Sequence, residues 1–140
     1  MTEVNLKELD RLKAAADESG PARLLGMSLI ELREGYAKAR MRLSEDHLNF
    51  FGLTHGAILY GLADHVNSAA ANSLGRRAVM TQSSTYFLAS PKVGQEIFAE
   101  GRVTKSGRKL SLVEVCVSDG KEAVFCRFIA SCYFLDEEPK

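Results

Sequence analysis

The twenty residues 55–74 read HGAILYGLADHVNSAAANSL, a proline-free run in which small and apolar residues occupy most positions. Gly52 lies before this run and Gly75 follows it. A helix that is apolar nearly all round is a buried one, and small side chains allow other backbones to approach closely. We therefore expect a long central helix with strands wrapped around it.

Segments with a β-type pattern surround the predicted helix. Before it, residues 37–43 alternate strictly between apolar and charged side chains, and residues 27–43 predict a hairpin with its turn at Gly35. After it, turn signals separate four runs of strand-forming residues, which are 78–88, 96–104, 109–117 and 123–135. This order predicts an α+β fold in which an antiparallel sheet of five to six strands wraps around the central helix.

The N-terminal residues have helical periodicity. Their apolar side chains recur at three- and four-residue spacings at Leu6, Leu9, Leu12 and Ala16. Residues 5–19 therefore predict an amphipathic helix that stops at Gly20-Pro21, and a short helical turn is expected over 22–25. A chain of 140 residues fits one domain, so we assign residues 1–140 to a single unit.

Composition and charge narrow the classes of partner. The chain has 18 Lys and Arg against 18 Asp and Glu, so its zero formal net charge supplies no general attraction for nucleic acid or an anionic membrane. No apolar run approaches the ~20 residues that span a bilayer, and the acidic N-terminus lacks the apolar core of a secretory signal. We expect a soluble, cytoplasmic protein without nucleic-acid or membrane partners.

Disulfide and metal signatures are missing from the sequence. The three cysteines, Cys116, Cys126 and Cys132, are odd in number and form no C-x-x-C pair, which is typical of a reducing compartment. The spacing of the histidines and Asp64 matches no recognised metal site. We expect no bound metal ion.

A cluster of chemically capable residues leads into the predicted helix. The stretch 49–57, NFFGLTHGA, places an Asn, two glycines and a His around the helix start, and Asp64 follows eight residues after Gly56. An ionised side chain on a buried helix is costly unless it is paired or hydrogen-bonded. The residues by themselves leave two interpretations of Asp64 open, which are a structural salt bridge and a catalytic acid or base.

The same residues resemble a family signature. Its elements here are Asn49-x-x-Gly52, His55-Gly56-Ala57 and Leu62-Ala63-Asp64. They are similar to the pattern N-x-x-G-x-x-H-G-G followed by L-x-D of hot-dog-fold acyl-CoA thioesterases, above all the phenylacetate-pathway PaaI group. Residues 81–91 and 104–110 are similar to that family's next strand and to its G-R-x-L turn. The resemblance covers about residues 35–135 and implies the hot-dog fold. Ala57 replaces the second glycine of the signature, which keeps the amide but narrows the approach of the acyl chain.

The resemblance implies acyl-CoA thioesterase activity and a role for each matching residue. An N–H at a helix N-terminus suits a developing oxyanion. Gly56 would donate this N–H to the thioester carbonyl, and Asp64 would act as general base or nucleophile. Asn49 would orient the thioester or the water, His55 would hydrogen-bond near the thioester, and Thr81 would hold the water. A loop cap, a helix N-cap and an ordinary strand residue are the structural alternatives for these last three.

The spacing of Gly56 and Asp64 points to more than one chain. Eight helical residues separate them by about 12 Å along the axis and about 80° around it, so one helix cannot bring both to the same carbonyl. Two antiparallel helices across a two-fold axis would do so, and they would form two identical sites. The resemblance likewise implies obligate homodimers, often paired into dimers of dimers.

Residues for the coenzyme A and acyl groups follow from the resemblance. The family binds CoA phosphates near the G-R-x-L turn, where this chain has three cations, Lys105, Arg108 and Lys109. Arg76 is a second candidate from the neighbouring subunit, and solvated turn charges are the alternative for all four. Phe51 and Tyr60 would line the acyl pocket or the dimer core. Coenzyme A is part of the substrate here, so no separate cofactor is expected.

Two further functions stay open at the level of sequence. One is a hydratase or dehydratase acting on an enoyl or 3-hydroxyacyl thioester, for which His65 beside Asp64 is the only motif, although adjacent helical residues point about 100° apart. The other is a non-catalytic acyl-CoA-binding module. The sequence does not specify the acyl group, the choice between base and nucleophile for Asp64, or the tetramer arrangement.

Overall fold

The computed structural model describes residues 4–135. Residues 1–3, which belong to the N-terminus used for the location prediction, and residues 136–140 lie outside the described range. Along the described chain the helices are α1 (Leu6–Glu18), α2 (Gly20–Leu25) and α3 (Gly56–Asn72), with a short 3₁₀ helix at Glu45–His47. The strands are β1 (Ser28–Arg33), β2 (Tyr36–Arg42), β3 (Ala78–Phe87), β4 (Glu96–Ser106), β5 (Leu110–Ser118) and β6 (Val124–Phe134).

The six strands form one antiparallel sheet in the order β1-β2-β4-β5-β6-β3. Helix α3 packs across the inner face of this sheet, and Leu62, Ala63 and Val66 on it are completely buried. Strand β3 pairs only with β6, so its other edge is open in the described chain. The predicted α+β fold, with its sheet around a central helix, is confirmed.

The element boundaries differ from the sequence expectations at a few ends. Helix α3 ends at Asn72, and Gly75 then turns the chain with a φ of 85°. The Asn72 side chain bonds both the N–H and the carbonyl oxygen of Ala78 at the start of β3. The Gly20-Pro21 pair ends α1 as expected, but it also begins α2, since proline fits the first turn of a helix. No helix within residues 4–135 is long and apolar enough to cross a membrane.

Gly101 on β4 allows α3 to lie close to the sheet. A Cβ at this position would stand 2.5 Å from Cγ1 of Val66 and 3.2 Å from Cγ2 of Val115, so something would have to shift. The strand that faces α3 has no side chain at Gly101, which lets the helix and the sheet approach closely. Small residues on α3 serve the same close approach.

We expect Gly101→Ala to lower the free energy of unfolding by about 1–3 kcal/mol, the usual cost of overpacking a tight core. Urea denaturation measures the change. Gly20→Ala is the matched control, because nothing lies within 4 Å of its Cβ position. Adding Val66→Ala should restore part of the loss in Gly101→Ala, and an unchanged denaturation midpoint in Gly101→Ala would contradict the close packing.

Candidate active site

The N-terminus of α3 presents a free amide. His55 is the N-cap, and its Nδ1 accepts the N–H of Ala57 at 2.9 Å. The Ile58 N–H bonds the His55 carbonyl oxygen at 2.9 Å. Nothing in residues 4–135 accepts a hydrogen bond from the N–H of Gly56. This amide is therefore both unpaired and at the positive end of the helix dipole.

The loop before α3 is shaped by Asn49. Its Oδ1 accepts the N–H groups of Phe51 at 2.9 Å and Leu53 at 3.0 Å, and its own backbone N–H donates to the Leu53 carbonyl at 2.7 Å. Asn49 thus caps the loop, which is the structural alternative named for it above. Its Nδ2 has no acceptor within the described chain, so it can still donate to a bound molecule.

Asp64 lies two turns into α3 and is half-buried. Its Oδ1 accepts from Nδ2 of Asn67 at 3.2 Å. No Lys, Arg or His among the described residues lies within 4.0 Å of its carboxylate, so the salt-bridge interpretation has no partner there. The adjacent His65 turns to α1, where its Nε2 lies 3.3 Å from Oδ1 of Asp17, and so does not converge with Asp64.

One face of α3 runs along the open strand β3. Gly56 faces Phe87, whose ring carbons lie 3.5 Å from the position a Cβ would take. One turn later, the hydroxyl of Tyr60 shares a hydrogen bond of 2.7 Å with Ser83 Oγ. Asp64 comes one further turn along α3. Gly56 and Asp64 are thus about two turns apart and are not brought together within one chain.

Thr81 lies at an irregular point of β3. The register with β6 shifts between Met80 and Gln82, and this shift makes Thr81 an extra residue in the strand. Its Oγ1 bonds the carbonyl oxygen of Ser131 at 3.2 Å and the Ser131 hydroxyl at 3.0 Å. The β3 hydroxyl that bonds a side chain of α3 is that of Ser83, which the sequence analysis missed because a bulge leaves no periodic signal. The role of Thr81 in holding water stays a prediction.

The cations proposed for CoA binding meet at one end of the sheet. The Phe134 N–H donates to the Lys109 carbonyl at 2.9 Å, and the Leu135 N–H donates to the Arg77 carbonyl at 2.8 Å. The Arg76 guanidinium stacks 4.0 Å above the Phe134 ring. Arg76 therefore lies near Lys109 of its own chain, and its expected role as a CoA contact from the neighbouring subunit stays a prediction. All the basic side chains of this cationic end are exposed, namely Arg76, Arg77, Lys105, Arg108 and Lys109.

Aromatic residues border the start of α3 on its exposed side. Phe50 is 91% exposed and Phe51 is 74% exposed, with ring centroids 4.3 Å apart. Tyr60 is half-buried, with its ring edge-on to Phe128. Exposed aromatic rings of this size mark a surface that another molecule covers.

Two buried cysteines, Cys126 and Cys132, stay protonated at neutral pH. Burial and, to a smaller extent, the nearby Cys116 raise the pKa of Cys126 to about 11. Burial also raises the pKa of Cys132, which the hydrogen bond to Asn67 opposes. Because the thiolate is the attacking form, these two side chains are inert thiols.

Comparison with known proteins agrees with this geometry. The family model described as Thioesterase superfamily matches residues 51–126, which are more than half of the chain. A protein of Archaeoglobus fulgidus with an esterase name is 34% identical over 100 residues, which are 70% of this chain and 65% of that protein. The protein named Acyl-coenzyme A thioesterase PaaI of Escherichia coli is 27% identical over 107 residues, 76% of each chain.

Solved structures share the fold. The Escherichia coli PaaI structure superposes with a TM-score of 0.86 at 24% identity, covering 94% of this chain and 97% of that one. A Streptococcus mutans protein solved with acetyl CoA superposes with a TM-score of 0.76 at 23% identity, covering 81% and 91% of the two chains. The chain is therefore a member of the Thioesterase superfamily, and its hot-dog fold is the one seen in the PaaI structure.

Proposed function

We propose that the protein is an acyl-CoA thioesterase whose active sites form between two copies of the chain. The observation that carries the proposal is the unpaired Gly56 N–H at the start of α3, about two turns before an Asp64 with no cationic partner among residues 4–135. The relative named acyl-coenzyme A thioesterase and the acetyl CoA held by a structural neighbour support CoA thioesters as the substrates.

The reaction needs a polarised carbonyl and an activated water. The Gly56 N–H donates to the thioester oxygen, and the negative charge that develops there is stabilised by the helix N-terminus. Asp64 of the other protomer takes a proton from water as the water oxygen attacks the carbonyl carbon. The carbon–sulfur bond then breaks, the thiol of CoA leaves with a proton, and the carboxylic acid is released. Attack by Asp64 itself, through an anhydride that water then cleaves, uses the same positions.

Two protomers are required because about 12 Å of helix separates the two groups. An antiparallel pair of α3 helices that sets Gly56 beside the partner's Asp64 also sets position 60, midway between them, next to its own copy. Tyr60 would then stand on the two-fold axis between the two sites, where it bounds both acyl pockets. The open edge of β3 and the exposed Phe50 and Phe51 support a contact on this side of the fold.

The loop and strand side chains complete the proposed site. The free Nδ2 of Asn49 donates to the thioester or the water, and the unused Nε2 of His55 lies beside the same carbonyl. Thr81 holds the water, and Phe51 covers the acyl group at the pocket mouth. Pairing of two dimers into a tetramer remains a prediction, which light scattering on the purified protein measures.

A panel of acyl-CoA substrates tests the proposal. Thiol release, followed with a chromogenic disulfide, should be measured for short, long and aromatic acyl groups, and at least one should turn over with a kcat/KM in the common enzyme range of about 10⁴–10⁸ M⁻¹s⁻¹. Tight binding by calorimetry with no thiol release on any substrate would favour a binding module instead. A change in enoyl-CoA absorbance without thiol release would favour a hydratase.

Reversing charge at the cationic end should weaken substrate binding without slowing chemistry. In Arg108→Glu/Lys109→Glu we expect KM to rise roughly tenfold with kcat unchanged, because the CoA phosphates contact this end in ground and transition states alike. The increase should shrink at high salt. Lys121→Glu, an exposed lysine at the opposite end of the sheet, is the control. Equal KM values in the two variants would remove the cationic end from the CoA site.

A further inference from the structure

Behind Asp64 lies a hydrogen-bonded chain of two buried polar side chains. Asn67, one turn further along α3, is 1% exposed, and its Nδ2 donates to Asp64 Oδ1 at 3.2 Å. Cys132 on β6 is also 1% exposed, and its Sγ donates to Asn67 Oδ1 at 3.3 Å. This series of hydrogen bonds runs from β6, which lies between β5 and β3, through Asn67 to Asp64, the one carboxylate on α3.

The direction of this chain follows from its members. A thiol is a weak donor through its S–H, and burial raises the pKa of Cys132, so its proton stays in place and the S–H donates to Asn67 Oδ1. The amide oxygen of Asn67 must therefore face Cys132, which turns the NH₂ group toward Asp64. The S–H of Cys132 thus fixes the orientation of the Asn67 amide, and Asp64 accepts from its NH₂ group.

The core itself has no need of this amide. Asn67 sits on α3 among buried apolar neighbours such as Val66 and Ala63, where a leucine of similar size would bury more apolar surface and leave no polar atom to satisfy. Removing the amide would leave the weak S–H donor of Cys132 without its acceptor and Asp64 without a donor. Asp64 is half-buried, so water can replace the donor that it loses. The Asn67 amide therefore lowers the apolar area buried in the core, and Asp64 is its one neighbour with a proposed function.

We infer that Asn67, fixed by Cys132, is a positioning residue that holds the Asp64 carboxylate in one rotamer, with its second oxygen free to face the partner's bound thioester. This inference rests on the proposed role of Asp64. A carboxylate without a cationic partner would otherwise sample several rotamers, and misplacement of a reacting group by about 1 Å can cost 10²-fold in rate.

Asn72 on the same helix provides the contrast. Its Nδ2 donates to the carbonyl oxygens of Ser68 and Ala78, and its Oδ1 accepts the Ala78 N–H. This amide joins α3 to β3 through backbone groups and has no contact with Asp64. Asn72 thus holds the end of α3 against β3, whereas Asn67 on the same helix contacts Asp64.

The test compares the two amides by kinetics and by stability. For Asn67→Leu we expect kcat to fall roughly tenfold, with KM unchanged and the melting temperature no lower than that of the wild type. For Asn72→Leu we expect a lower melting temperature with kcat unchanged. Cys132→Ser keeps a donor to Asn67 and should retain kcat, whereas Cys132→Ala should lose part of it.

A double-variant cycle shows whether Asn67 acts through Asp64. In the Asp64→Asn background, adding Asn67→Leu should cause no further loss of kcat, because the group being positioned is gone. The same fold-loss in both backgrounds, or a wild-type kcat in Asn67→Leu, would overturn the inference while leaving the role of Asp64 intact. A fully active Asp64→Asn would instead overturn the proposed function on which the inference rests.

Discussion

Asp64→Asn is expected to lower kcat for acyl-CoA hydrolysis by roughly 10²–10⁴-fold, the range that a general base contributes. Asparagine has nearly the same shape, and its Oδ1 can still accept from Asn67, so the fold should be unchanged. It can neither take a proton from water nor attack the carbonyl carbon. The loss should therefore fall on kcat rather than on KM.

Thiol release from the best acyl-CoA of the panel measures the effect. Asp10→Asn, which changes an exposed carboxylate on α1, is the matched control and should keep wild-type kcat. Hydrolysis of every substrate by Asp64→Asn at the wild-type rate would mean that another group activates the water.

Gly56→Pro is expected to lower kcat by roughly 10²–10³-fold, the cost of losing one oxyanion donor. Proline removes the backbone N–H, from which nothing in residues 4–135 accepts a hydrogen bond, and adds a ring whose Cβ meets Phe87 at an ordinary 3.5 Å. Gly56 is the first residue of α3, a position that proline tolerates well. His55 has φ −66° and ψ 135°, which is the conformation required of a residue before proline. The fold should therefore accept the change.

Gly56→Ala serves as the control for this variant. It adds the same Cβ, which meets the Phe87 ring at an ordinary 3.5 Å, but it keeps the N–H. If Gly56→Ala loses as much kcat as Gly56→Pro, while circular dichroism shows both folded, the effect is one of space and the amide does not polarise the carbonyl.

The two inactive variants together test the shared site. In a dimer that pairs one Asp64→Asn chain with one Gly56→Pro chain, one site receives both substitutions and the other receives neither. Unfolding and refolding an equal mixture should therefore recover about a quarter of wild-type activity, since half of the dimers are mixed and each has one intact site. Sites contained within one chain would recover nothing.

Much of the fold was predictable because its signals are local. Apolar residues on nearly all sides of residues 55–74 predicted the buried helix α3, and strict alternation over 37–43 predicted β2, since both patterns follow from the geometry of one element. The candidate site was predictable to the extent that the motif around Gly56 and Asp64 resembles a known signature. The separation of about 12 Å between these two groups could be calculated from the rise per residue of a helix.

Other features depend on which distant residues the sheet brings together. The bulge in β3 gives Ser83, rather than Thr81, the hydrogen bond to the helix, and register alone places Arg76 beside the β4–β5 turn of its own chain. The bond from Cys132 to Asn67 joins positions 65 residues apart. Short-range periodicity and spacing specify the helices, the strands and the motif, so these can be predicted from the order of the residues. The partners of the polar side chains depend on strand register and helix packing, which are long-range and leave no local pattern.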